Sequence, residues 1–152
     1  MIVQITGILI NKKIEEIIID ANGIGYLCSI SNNTYNELPD IGKMFTILTY
    51  LNISENKHSL YGFYSNQERN LFKMLIKVSG IGPKIGMQLL SNTDSKKFEK
   101  MIINSDVTML STLPGIGPKT AKRLIIELKD KFTKVEKDDI PSDEMPNSYR
   151  DA

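Results

Sequence analysis

The sequence predicts an α+β protein, a five-stranded β-barrel followed by an all-α region. Three observations carry this reading. Up to residue 64, short β-branched runs alternate with turn signals such as Asn22-Gly23-Ile24-Gly25 and Pro39-Asp40-Ile41-Gly42, the pattern of half-buried strands. From Ser65 onward the apolar spacing becomes helical. Inside that helical part a segment occurs twice. Ser79-Gly80-Ile81-Gly82-Pro83-Lys84 returns as Pro114-Gly115-Ile116-Gly117-Pro118-Lys119, with Gly80 and Gly115 35 residues apart.

The elements follow in order. Ile2, Ile5, Ile8 and Ile10 mark a first strand, residues 14–20 a second and residues 26–30 a third. Residues 32–38 are polar and suit one or two helical turns. Residues 44–53 form a long strand, 54–58 a polar tip and 59–64 a last strand. Five strands with a helical insert after the third is the pattern of an OB-type barrel, although another small barrel would fit nearly as well. Ser65-Asn66-Gln67-Glu68 fits a capping box, in which Ser65 satisfies an orphan N–H and Glu68 reaches back. Leu71, Phe72, Leu75, Ile76 and Val78 then line a helix, and residues 84–90 form its partner across the first Gly-Ile-Gly turn. Residues 94–104 connect to a short helix that Asp106 caps and that runs through 113. The second turn leads into a final helix over 118–131. Pro83 and Pro118 fall at the first helical position, where a missing N–H costs nothing. The division is therefore an OB-type barrel over 1–64, a tandem helix-hairpin-helix domain over 65–133, and an acidic, proline-interrupted linker or tail over 134–152.

The repeat carries the chemistry. In each copy the first glycine, Gly80 or Gly115, permits a positive φ after a helix end. The isoleucine plugs the space between helices. The second glycine, Gly82 or Gly117, lets the backbone approach a ligand. Gly86 and Ala121 are the small residues where paired helices cross closely. A tight αα-turn needs no ligand, and one copy alone would say little. Two matched copies, each ending in lysine, suit a nucleic-acid backbone, because backbone N–H groups and a cation converge on one phosphate. Lys84 and Lys119, which end the two copies, are the candidate phosphate contacts. Charge agrees: residues 1–63 hold four Lys and six acids, 64–133 twelve Lys or Arg and six acids, and 134–152 three and six. Net charges of −2, +6 and −3 place the basic excess in the segment with the repeat.

Other functions fit poorly. Pro118 separates Gly117 from Lys119, which removes the Gly-Lys-Thr core of a P-loop, and Gly80, Gly82 and Gly86 miss a dinucleotide fingerprint by one position. The single histidine, His58, sits in a polar tip, and the single cysteine, Cys28, in a strand-like run. No catalytic residue, metal ligand or cofactor is expected. Asp138 and Asp139 stand at a spacing seen in hairpin-containing DNA glycosylases, but they read as solvated linker charge. With no membrane-spanning run and no signal peptide, a cytoplasmic location is expected.

A barrel followed by two Gly-Ile-Gly-Pro-Lys hairpins resembles the RuvA family, and the likeness covers about residues 1–133. It rests on Ile8-Leu9-Ile10, Gly23-Ile24-Gly25-Tyr26, Glu37-Leu38-Pro39, Leu60-Tyr61-Gly62-Phe63, Glu68-Arg69, Leu71-Phe72 and Leu75-Ile76-Lys77. Most specific is Leu113-Pro114-Gly115-Ile116-Gly117 with Lys119-Thr120-Ala121 and Arg123-Leu124. The resemblance implies a homotetramer, single or face to face as an octamer, whose basic surface holds a four-way DNA junction open. It implies an ATPase motor, RuvB, and a resolvase, RuvC, as partners, with no chemistry in the chain itself. It also implies an acidic pin at the barrel tip. The matching positions are Glu55 and Asn56, so half the pin charge is missing. The resemblance carries phosphate contacts onto Lys84, Lys119 and Arg123; Pro118 stands where the family often has lysine and Lys122 where it often has an acid, so Lys122 joins the contacts as basic charge moved one helical turn. A motor-binding domain would lie beyond the linker-like residues 134–152. The alternative reading is a DNA-binding accessory subunit, for example of a nuclease, without a motor.

Overall fold

The computed structural model describes residues 1–135. Five strands, β1 (Gln4–Lys12), β2 (Glu16–Ala21), β3 (Ile24–Ile30), β4 (Met44–Ile53) and β5 (His58–Phe63), close into a barrel in the order β1-β2-β3-β5-β4. All pairs are antiparallel except β3 with β5. Helix α1 (Asn32–Glu37) fills the crossover that a parallel pair requires. β2 begins two residues later than the apolar run predicts, because Lys13 N–H already bonds Glu16 O and closes a turn. The β2–β3 turn places Asn22 and Gly23 at positive φ, as a two-residue hairpin loop requires.

The barrel core contains Ile5, Leu9, Ile17, Ile19, Cys28, Ile30, Leu38 and Ile47. Of the β1 isoleucines only Ile5 points inward with Leu9; Ile8 and Ile10 face out, at 40% and 47% exposure. Strand alternation decides this, since residues two apart share a face.

Five helices follow: α2 (Asn66–Ile76), α3 (Pro83–Asn92), α4 (Ser95–Ile103), α5 (Val107–Ser111) and α6 (Pro118–Val135). Ser65, Asp94 and Asp106 cap α2, α4 and α5 by accepting from the N–H three residues on. The last helix outruns the expected end at 131. Its buried stripe, Leu124, Leu128 and Phe132, continues at a spacing of four, and Phe132 meets Phe98 at 6.4 Å between ring centres. Residues 134 and 135 thus belong to α6, and the expectation of a linker concerns residues 136–152, outside the described residues.

The two parts share a joint rather than a hinge. Phe63 of β5 enters the helical core, and Phe72 of α2 meets Tyr50, Tyr61 and Phe63 at 5.5, 5.2 and 5.1 Å. Glu68 corrects the capping-box expectation. Its N–H bonds Ser65 Oγ as predicted, but its carboxylate does not reach back. It is buried and accepts from Ser31 Oγ at 2.5 Å and Thr34 Oγ1 at 3.1 Å, tying α2 to α1. Arg69 donates to Val3 O at 2.8 Å and Asn33 to Leu90 O at 2.7 Å, so further bonds cross the joint.

Candidate nucleic-acid interface

The sequence repeat becomes a repeat of backbone bonds. In the first helical hairpin Val78 N–H bonds Leu75 O, Ile81 N–H bonds Val78 O, and Gly86 N–H bonds Gly82 O. In the second, Leu113 bonds Leu110, Ile116 bonds Leu113, and Ala121 bonds Gly117, at distances that agree within 0.1 Å. Gly80 and Gly115 adopt φ of 91° and 78°, the left-handed region that a helix end followed by a sharp turn demands. Ile81 and Ile116 are buried plugs. Gly86 brings α3 against α2, where an added Cβ would stand 3.3 Å from the Phe72 ring, and Ala121 is fully buried.

Gly82 and Gly117 differ from these. Neither has a positive φ, and a Cβ on either would meet nothing within 4 Å. Among the described residues nothing requires glycine there. Among the described residues no side chain caps α3, so none takes the first-turn N–H groups that lack an intrahelical acceptor. The arrangement suits an anion seated against the turn.

The two hairpins lie side by side. Arg123 of α6 reaches Ser79 of the first turn, Nη1 to Oγ at 3.3 Å, and Gly115 of the second turn packs on Ile85 of α3. Lys84, Lys119, Lys122 and Arg123 are all exposed. Lys119, Lys122 and Arg123 fall at spacings of three and four, on one face of α6. Among the described residues the only ion pair is Lys97–Asp94, so no carboxylate neutralises these four cations.

Glu55 and Asn56 occupy the exposed β4–β5 turn, closed by Ser54 N–H to Lys57 O at 2.9 Å. Lys57, in the same turn, lines a cleft with Lys84 and Pro114, which places this tip beside both hairpins. Lys73 and Lys77 line a second cleft with Gly82 and Pro83. Sequence reading passed over Lys57, Lys73, Lys77 and Ser79 as contacts. The alternation Lys57, Ser59, Tyr61 would have put the first of these on the tip's inner face, but their convergence on the hairpins is tertiary.

Burial pushes the Cys28 thiol up to about 12, so it stays a protonated core residue. His58 is exposed at the start of β5. Among the described residues no three His, Cys, Asp or Glu gather where they could hold a metal ion, and no helix is long and apolar enough to cross a membrane.

Comparison with known proteins matches both parts. Residues 1–62 fit the family model described as RuvA N terminal domain, and residues 72–130 fit the SAM-like helix-hairpin-helix tandem. A relative from Marinomonas sp. (strain MWYL1) is 48% identical over 140 residues, which is 92% of this chain and 70% of the relative. One from Geobacter metallireducens is 42% identical across 100% of this chain and 79% of the relative. One from Yersinia enterocolitica is 41% identical across 87% of this chain and 64% of its own length. Each of the three is named Holliday junction branch migration complex subunit RuvA.

Proposed function

The chain belongs to the RuvA family, and on that premise we propose that it binds four-way DNA junctions by their backbone and holds them open for branch migration. The observation that carries this reading is the pair of matched hairpins set side by side, each with an open glycine and cations that no carboxylate among the described residues pairs. Gly80, Gly82 and Lys84 grip one stretch of phosphates. Gly115, Gly117, Lys119, Lys122 and Arg123 grip another. Such contacts position DNA without reading its sequence. Residues 1–64 act as the scaffold, the helical part from residue 65 to the end of α6 at Val135 as the DNA-binding domain, and 136–152 as the linker. The chain contributes positioning and no chemistry. An ATPase motor of the RuvB kind drives the strands, a RuvC-type resolvase follows, and the assembly works in the cytoplasm beside the chromosome during recombination and repair.

A gel-shift series comparing an immobile four-way junction with linear duplex of the same arm sequence tests the reading. Junction binding should be the tighter at every salt concentration. Equal affinity for the two would leave a non-specific accessory subunit as the better account.

A further inference from the structure

The inner face of the β4–β5 ribbon and the first helical hairpin enclose two clefts lined by lysines that the repeat does not explain. In the β4–β5 ladder Tyr50 opposes Tyr61 and Asn52 opposes Ser59. Both tyrosines pack on Phe72 of α2, so this face of the ribbon turns toward the helices. On one side of the hairpin, Tyr50 and Asn52 share a cleft with Lys73, Lys77, Gly82 and Pro83, and no acidic residue lines it. On the other, Tyr61 and Lys57 share a cleft with Lys84, Gln88 and Pro114, with Glu15 as the one acid. Lys73 lies in the last turn of α2 and Lys77, four residues on, caps its end. None of these lysines has a carboxylate within 4.0 Å among the described residues.

We propose that Lys57, Lys73 and Lys77 form a second phosphate track, which leads the DNA strand gripped by the first hairpin to the β4–β5 tip. The proposal rests on the nucleic-acid reading of the hairpins and adds a path to it. A small anion would fill one cleft only, whereas a sugar-phosphate chain can cross both, because one borders α2 and the first turn and the other borders α3, which that turn begins. Lysines are point charges without the planar fork of arginine, which suits a backbone that passes rather than a group held in one pose. The track also changes the tip. Lys57 stands two residues from Glu55, so the tip both repels and anchors phosphates.

The test uses the whole chain with Lys57→Ala, with Lys73→Gln and Lys77→Gln together, and with Lys96→Ala as an exposed cation on α4 remote from the track. Junction affinity is measured across a salt series, and the thermal midpoint of each variant checks folding. Glutamine keeps most of the stem length, so the packing of half-buried Lys73 is retained. Each lost contact should lower the slope of log affinity against log salt by about 0.7–0.9 per engaged subunit. Lys57→Ala should cost more affinity on the junction than on linear duplex, and Lys96→Ala should change neither. If the track variants match the wild type while Lys119→Ala weakens binding, the track is refuted and the hairpin reading stands. If Lys119→Ala is also silent, both fall. An equal loss in Lys96→Ala would show general charge attraction and overturn the track.

Discussion

Gly82 and Gly117 separate folding from binding at single residues. Gly80 and Gly115 are bound to their turns by φ of 91° and 78°, and alanine there meets a left-handed penalty of about 1–2 kcal/mol. Gly82 and Gly117 have neither that φ nor any atom within 4 Å of a would-be Cβ. Gly82→Ala and Gly117→Ala should therefore keep or slightly raise the thermal midpoint, since alanine restricts the unfolded chain by about 0.4–1 kcal/mol. Both should lose junction affinity, because the methyl group occupies the approach of the phosphate. Unchanged affinity in both would remove these glycines from the interface. Glu68 permits a second residue-scale test. Burial raises its pKa, and hydrogen bonds from Ser31 and Thr34 only partly offset that. Between the ordinary glutamate value and the raised one, the folded state therefore keeps a proton that the unfolded state has released. Stability from this group is complete below the ordinary glutamate value and is lost as pH rises through the raised one. Glu68→Gln should flatten that fall when thermal midpoints are followed from acid to neutral pH. An identical pH profile would show that the burial carries no titration cost.

At the scale of the element, the β4–β5 ribbon decides how the molecule treats a crossover. Its tip, Ser54 to Lys57, is fixed by reciprocal backbone bonds and carries one acid and one lysine. The family resemblance leads one to expect two acids, which would repel phosphates and disfavour continuous duplex. Asn56→Asp should widen the ratio of junction to duplex affinity, and Glu55→Gln should narrow it. Competition gel shifts in which neither change moves the ratio would deny the tip an electrostatic role. The same ribbon shows what the sequence made legible. Met44–Ile53 emerges with the bounds its β-branched run predicted, because strand alternation and flanking turn residues are local signals. The matched hairpin turns were legible for the same reason, since their glycines, plugs and prolines act within a few residues. The capping box was half legible: Ser65 acts locally, while Glu68 found partners 34 and 37 residues away. Lys57, Lys73 and Lys77 were hidden by the same kind of distance.

The whole molecule presents unlike surfaces that one copy leaves uncovered. On the barrel exterior Ile8 opposes Met44 across the β1–β4 ladder, with Ile10 nearby on β1; the three are 40%, 62% and 47% exposed. On the helical side Ile126 of α6 is 76% exposed. A cyclic ring needs two different patches per subunit, one meeting the other on its neighbour. We propose the barrel face and the exposed side of α6 as such a pair. Closing four copies would also array the +6 charge of residues 64–133 four times over, matching a ligand with four arms. We therefore expect a tetramer of four 17.2-kDa chains in solution. Ile126→Glu and Met44→Glu should each dissociate it without lowering the monomer's helix content, because both side chains already face solvent. The dissociated chain should keep weak duplex binding through its own hairpins and lose its junction preference, because one subunit presents one set of hairpins and one tip to a ligand with four arms. Mass by sedimentation equilibrium, taken with circular dichroism and the same gel shifts, decides this. A wild-type monomer at micromolar concentration that still prefers junctions would show that selectivity resides within one subunit.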